Sequence, residues 1–105
     1  MMQLAEQSKT VAINKDEERL IFAMQLLGDK TRYKIFKLLM TREQMCVSDI
    51  AERLDVTVSA ISQHFRSFEL VGLVDKQRMG QKMCYILKSN DKLAQELSAI
   101  IKKGC

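Results

Sequence analysis

Few residues in this chain could ligate a metal or act as a nucleophile. There is one histidine, His64, and the three cysteines Cys46, Cys84 and Cys105 include no Cys-x-x-Cys pair. That spacing excludes a zinc finger, so no structural metal is expected. His64 has no nucleophile or orienting acid at a recognisable spacing, and Gly28 and Gly80 form no phosphate-cradling loop, so the chain is not expected to be an enzyme. Two other groups stand out. Thr57, Ser59, Ser62, Gln63, His64 and Arg66 lie close together in sequence, and Arg78, Gln81 and Lys82 surround Gly80. Short hydroxyl side chains permit close approach to a base edge. An amide suits adenine, and a cation suits guanine or phosphate. The combined chemistry is that of reading double-stranded DNA.

The elements that must position these residues follow from apolar spacing. Residues 1–15 are polar and weakly patterned and are expected to form a flexible arm, leaving 16–105 as one DNA-binding and dimerisation domain. Asp16, Glu17 and Glu18 open a helix, and Leu20, Ala23, Met24 and Leu27 form its stripe. Ile21 and Phe22 widen that stripe beyond what a lone surface helix needs. Gly28 ends it, and Asp29 caps a second helix running from Lys30 to about Met40. A short extended piece, Met45–Val47, leads to Ser48 as the expected cap of a helix over 49–54. Asp55-Val56 makes a tight turn. Thr57 caps the next helix, which buries Ile61, Phe65 and Phe68 and closes at Gly72. The period then changes to strands over 73–78 and 82–87, joined by a turn at Met79-Gly80-Gln81. Ser89 or Asn90 is expected to cap a last helix with the stripe Leu93, Leu97, Ile100 and Ile101.

Two short helices around a tight turn, followed at once by a basic hairpin, predict a winged helix-turn-helix. The fold class is mainly α, with five helices and a small β-wing, and a dimer partner could supply extra burial for the terminal helices. On the second helix of the pair, Ser59, Ser62, Gln63, Arg66 and Ser67 fall on the outer side, with His64 beside them. Ordinary solvated helix faces are rich in Glu and Lys, whereas this one has no acid before Glu69. Thr57 is placed to touch phosphate while capping. The wing tip suits minor-groove or phosphate contact. Net charge is +4, and the basic residues cluster at Lys30, Arg32, Lys34, Lys37 and Arg42 and again along 57–88. A DNA binder needs such segregation. The other class compatible with this architecture is a winged-helix protein-interaction module without DNA binding. At 47% hydrophobic and 29% charged the composition is that of a globular domain. No apolar run reaches the roughly 18 residues of a membrane span, and MMQLAEQSKT lacks a secretory pattern, so a cytoplasmic location is expected.

Three segments carry a family resemblance. Leu26 to Leu39 (LLGDKTRYKIFKLL) is similar to the opening of ArsR-type repressors, the arsenic and metal-sensor family. Val56 to Phe65 (VTVSAISQHF) resembles that family's recognition helix, and Glu69 to Val74 (ELVGLV) resembles the approach to its wing. Together they cover roughly residues 16–102. Lys30 departs from the pattern, standing where the family usually has a proline at the first helical position. The resemblance implies a homodimer built from the first and last helices. It also implies a repressor of an inverted-repeat operator that is released by an inducer.

Some members of the family bind metal on the last helix through histidines and acids. Here that helix has no histidine, and Asp91 and Glu96 are its acids, so no such site is expected. Arsenic-type members use a cysteine pair at the first helix of the reading head. Cys46 matches one of those positions and Ser48 replaces the other. In a winged helix the strand holding Cys46 can pair with the wing strand holding Cys84. Two readings stay open. In one, Cys46 and Cys84 form a thiol sensor, as a reversible disulfide or as ligands of a metal or metalloid with a third donor such as Cys105. In the other they are small buried hydrophobes.

Overall fold

Among the described residues nine larger side chains are fully enclosed, Phe36, Phe65 and Phe68 among them, and the helices are arranged to bury them. The computed structural model describes residues 11–41 and 44–104. Most of the expected arm (residues 1–10), Arg42 and Cys105 lie outside the described residues. The element order is α1 (Lys15–Leu27), α2 (Lys30–Leu39), β1 (Met45–Cys46), α3 (Val47–Leu54), α4 (Val58–Val71), β2 (Val74–Met79), β3 (Lys82–Leu87) and α5 (Lys92–Gly104). The strands form one antiparallel sheet in the order β1-β3-β2. This is the expected winged helix-turn-helix, with five helices and a hairpin among the described residues. No helix among them is long and apolar enough to cross a membrane.

Helix ends follow local chemistry, with four departures from expectation. First, α1 starts one residue early, because Asn14 and Glu17 form a reciprocal capping box (2.8 and 3.1 Å) that satisfies two orphan amides. Second, Gly28 ends α1 in a right-handed conformation (φ −74°), because Asp29 caps α2 immediately afterwards by accepting from the Arg32 amide. Third, Ser48 caps nothing. Val47 is already helical and buried, Cys46 occupies the cap position, and Ser48 is exposed one residue inside. Burial of Val47 against the core draws the first turn of α3 back to the end of β1. Fourth, α5 is capped by Asp91, whose carboxylate accepts from the Ala94 amide at 3.0 Å, and not by Ser89 or Asn90.

Asp91 is selected by a tertiary partner that local pattern does not reveal. Arg19 of α1 donates to Val71 O (2.9 Å) and Gly72 O (3.1 Å) at the end of α4, and meets Asp91 Oδ2 at 3.0 Å. One guanidinium therefore ties α1, the left-handed close of α4 at Gly72 (φ +78°) and the start of α5. At Gly72 the amide bonds Glu69 O and the Leu73 amide bonds Phe68 O, so α4 ends in a Schellman motif. Burial works against the Asp91 charge, but Arg19 and the Ala94 amide outweigh it and hold the carboxyl below its ordinary value of 3.8.

Arg19→Ala is expected to destabilise the fold by about 2 kcal/mol, the loss of charge-assisted bonds at a half-buried site. Asp91→Asn keeps a capping oxygen and is expected to lose about half as much. Because the folded value of Asp91 is depressed, its contribution is present above the ordinary carboxylate value and fades as pH falls through the folded one. Urea unfolding of both variants at neutral pH and near pH 3 checks this. The gap between wild type and Asp91→Asn should narrow in acid.

Candidate nucleic-acid interface

The reading head is α3, a turn and α4. The turn works because Asp55 adopts a left-handed conformation (φ 56°, ψ 48°), which a short polar side chain tolerates better than most. The Val56 amide then returns to Ala51 O at 3.0 Å. Thr57 caps α4 by accepting from the Ala60 amide at 3.1 Å, which leaves its own hydroxyl hydrogen to donate outward, toward a phosphate.

From that start the helix divides into two faces. Ile61, Phe65 and Phe68 are each 0% exposed and fix its rotation. Thr57, Ser59, Ser62, Gln63 and Arg66 are all exposed, as expected from their spacing. Val58, not singled out from sequence, is 51% exposed in the first turn. An apolar side chain at the leading end of such a helix offers contact to a thymine methyl. The pattern hid it because an apolar residue beside a cap reads as core.

His64 sits at the edge of this face, half-buried. Its Nδ1 is 3.4 Å from Arg32 Nη1 of α2. Arg32 is itself anchored, with Nε donating to Leu26 O at 2.7 Å. The Arg32 amide bonds Asp29, and chiefly through that bond, against a burial effect and with help from the Arg32 charge, the Asp29 carboxyl lies below its ordinary range. Arg32 belonged to a presumed basic patch in the sequence, but here it is a structural clamp. Lys30, Lys34 and Lys37 remain exposed on α2.

The wing is β2–β3 around Gly80 (φ +65°), with Met79 opposite Lys82. Arg78, Gln81 and Lys82 are exposed at its tip, as expected. Its charge is partly answered from within. Lys76 lies 3.5 Å from Glu69, Lys82 4.0 Å from Asp49 and Lys88 4.0 Å from Asp75. These exposed pairs are weak and can open toward phosphate. Arg66 and Arg78 have no acidic partner among the described residues.

Strand β3 fixes the wing to the reading head on both of its faces. On one face Tyr85 stacks on Phe65 of α4, with ring centroids 3.9 Å apart and planes 3° from parallel. Burial first, then nearby Glu69, raises the Tyr85 phenol above its ordinary value against the pull of Arg66, so the ring stacks uncharged. On the other face Cys84 is opposite Cys46 in the sheet, and the two form a disulfide. Their Cα atoms are 3.7 Å apart. The same face carries a Gln44–Gln77 hydrogen bond (2.6 Å) and the Lys82–Asp49 pair.

Comparison with known proteins agrees with this geometry. Residues 29–76 match the family described as bacterial regulatory protein, arsR family. The chain is 30% identical over 82 residues to the cadmium resistance transcriptional regulatory protein CadC of Listeria innocua, covering 78% of this chain and 69% of that protein. It is 29% identical over 101 residues to the arsenical resistance operon repressor of Bacillus subtilis, covering 93% and 92%. The homodimeric winged helix-turn-helix DNA-binding domain of Mb0332 from Mycobacterium bovis shares the fold, with a TM-score of 0.69 at 20% identity over 81% of this chain and 76% of that one.

Proposed function

The chain belongs to the ArsR family of bacterial regulatory proteins, and from that premise we propose that it is a homodimeric repressor that binds an inverted-repeat operator through α4 and the wing. The observation that carries this reading is the outer face of α4. It presents Thr57, Val58, Ser59, Ser62, Gln63 and Arg66 to solvent with no acid among them, on a helix whose rotation the buried Ile61, Phe65 and Phe68 fix. Ser59, Ser62 and Gln63 read base edges, Arg66 takes guanine or phosphate, and Thr57 takes phosphate. Arg78, Gln81 and Lys82 contact the backbone or minor groove beside it. His64 lies at the margin of the same surface.

Dimerisation uses α1 and α5. Only Ala23 and Leu26 of α1 are buried, while Leu20, Ile21, Phe22 and Met24 are 37–59% exposed, and Ile100 of α5 is 66% exposed. So much uncovered apolar surface on the terminal helices calls for a partner, and the Mycobacterium bovis domain of this fold is a homodimer. A protein of this kind works where the chromosome is, in the cytoplasm.

A thiol-ligated metal or metalloid would need Cys46 and Cys84 reduced and a third donor such as Cys105, which lies outside the described residues.

Selection from a randomised duplex library tests the proposal. One palindrome should be enriched, with half-sites about one DNA turn (~34 Å) apart. Its affinity should fall steeply with salt. Failure to enrich any sequence at low salt would favour the protein-interaction module.

A further inference from the structure

We propose that the Cys46–Cys84 pair is a reversible oxidation site, responsive to hydroperoxides, and that its disulfide holds the wing in the geometry that binds DNA. The second half of this statement rests on the repressor reading above; the first does not.

The chemistry follows from what surrounds each sulfur. Cys84 is 0% exposed in the central strand, whereas Cys46 is half-buried at the end of β1. Cys46 is therefore the sulfur that an oxidant or reductant reaches. It also occupies the cap position of α3, where no side chain satisfies the first amides. The positive end of the helix favours a thiolate at Cys46. The thiolate attacks one oxygen of a hydroperoxide. The O–O bond breaks, the alcohol or water leaves after taking up a proton, and Cys46 becomes a sulfenic acid. Cys84, directly opposite in the β1–β3 register, then attacks that sulfur. The S–S bond forms, the S–O bond breaks, and water departs with the Cys84 proton. Two thiols lose two electrons, and the peroxide gains them. A small-molecule dithiol reverses the process by attacking Cys46 Sγ, with Cys84 as leaving group.

The coupling follows from topology. Strand β1 is two residues long and holds β3 through only two residue pairs, Met45–Tyr85 and Cys46–Cys84. So short a strand fixes register weakly without a covalent link. Cys84 is adjacent to Tyr85, whose ring lies on Phe65 of the recognition helix. Closing the disulfide thus fixes the strand that carries both the wing tip and the stacking contact to α4. Reduction leaves the core in place but returns freedom to the wing, which DNA binding must then remove.

The test uses the full chain carrying Cys105→Ser, so that only this pair can react. Protein is reduced with dithiothreitol, exchanged into buffer, and exposed to hydrogen peroxide. Alkylation followed by mass spectrometry counts the free thiols, and anisotropy with the selected palindrome measures affinity in each state. The expected result is loss of both free thiols on oxidation, their recovery with dithiothreitol, and about tenfold tighter DNA binding by the oxidised form. Cys46→Ser and Cys84→Ser proteins should bind as the reduced form does and ignore peroxide. Thiols that stay free under peroxide, or oxidised and reduced forms of equal affinity, would overturn the proposal. If neither form binds any duplex, the repressor reading fails and the coupling with it. The thiol count then still decides whether the oxidation site is real.

Discussion

Arg66→Glu should lower affinity for the selected palindrome by about 100-fold without lowering the melting temperature. Arg66 is exposed on the outer face of α4, one turn beyond Ser62 and Gln63, and has no acidic partner among the described residues. Removing a cation that contacts guanine or phosphate costs about 1–3 kcal/mol. Placing a carboxylate against the phosphates adds repulsion. A combined loss near 3 kcal/mol corresponds to the stated factor. Arg66→Ala should show the first part alone, and its response separates the two kinds of contact. A phosphate contact reduces the salt slope by about 1 and weakens all sequences alike, whereas a guanine contact relaxes preference at one position. The fold should be indifferent, since the side chain makes no ion pair there and Phe65 and Phe68 beside it carry the packing. Anisotropy over a salt series and thermal melting by circular dichroism check both statements. An unchanged affinity for Arg66→Glu would remove α4 from the interface.

Much of this site was legible because it depends on periodicity. The buried trio Ile61, Phe65 and Phe68 fixes which residues of α4 face outward, and the structure leaves Ser59, Ser62, Gln63 and Arg66 exposed as that spacing implies. Caps defined within three or four residues, at Asp29, Thr57 and Gly72, were legible for the same reason. What was not legible depends on contacts distant in sequence. Arg19 reads as one more charge in an acidic helix opening, yet it binds groups more than fifty residues away. It also explains why Asp91, and not its neighbours, caps α5. Arg32 reads as part of a basic run but is taken up by Leu26 O and His64. The partner of Lys82 was not legible because Asp49 lies on α3, more than thirty residues before the wing tip. The Cys46–Cys84 juxtaposition followed from the fold once β1 was allowed to pair with β3. Spacing alone did not separate bonded from merely buried cysteines, and the buried reading was the favoured one.

The largest effect is expected from separating the protomers. Met24→Glu together with Ile100→Glu should turn a dimer into a monomer and lower affinity for the full palindrome by about 10²–10⁴-fold. Met24 is 54% exposed and Ile100 66% exposed, so neither carboxylate enters the core of its own protomer. Each protomer's fold rests on Ala23 and Leu26 of α1 and Ala94, Leu97 and Ile101 of α5, which are untouched. In a dimer through α1 and α5, however, both positions are buried, and an unpaired buried charge is strongly unfavourable. A monomer still presents α4 and its wing, so half-site binding should survive at the level of one reading head. What disappears is the linked second contact, which gains from high effective concentration once the first head is seated. Sedimentation velocity gives the oligomeric state, and anisotropy with full-site and half-site duplexes gives the two affinities. The double variant should bind both duplexes about equally, while the parent protein strongly prefers the full site. A variant that stays dimeric would move the interface away from α1 and α5. A monomer that still prefers the full palindrome would show that the two heads do not act through a dimer at all.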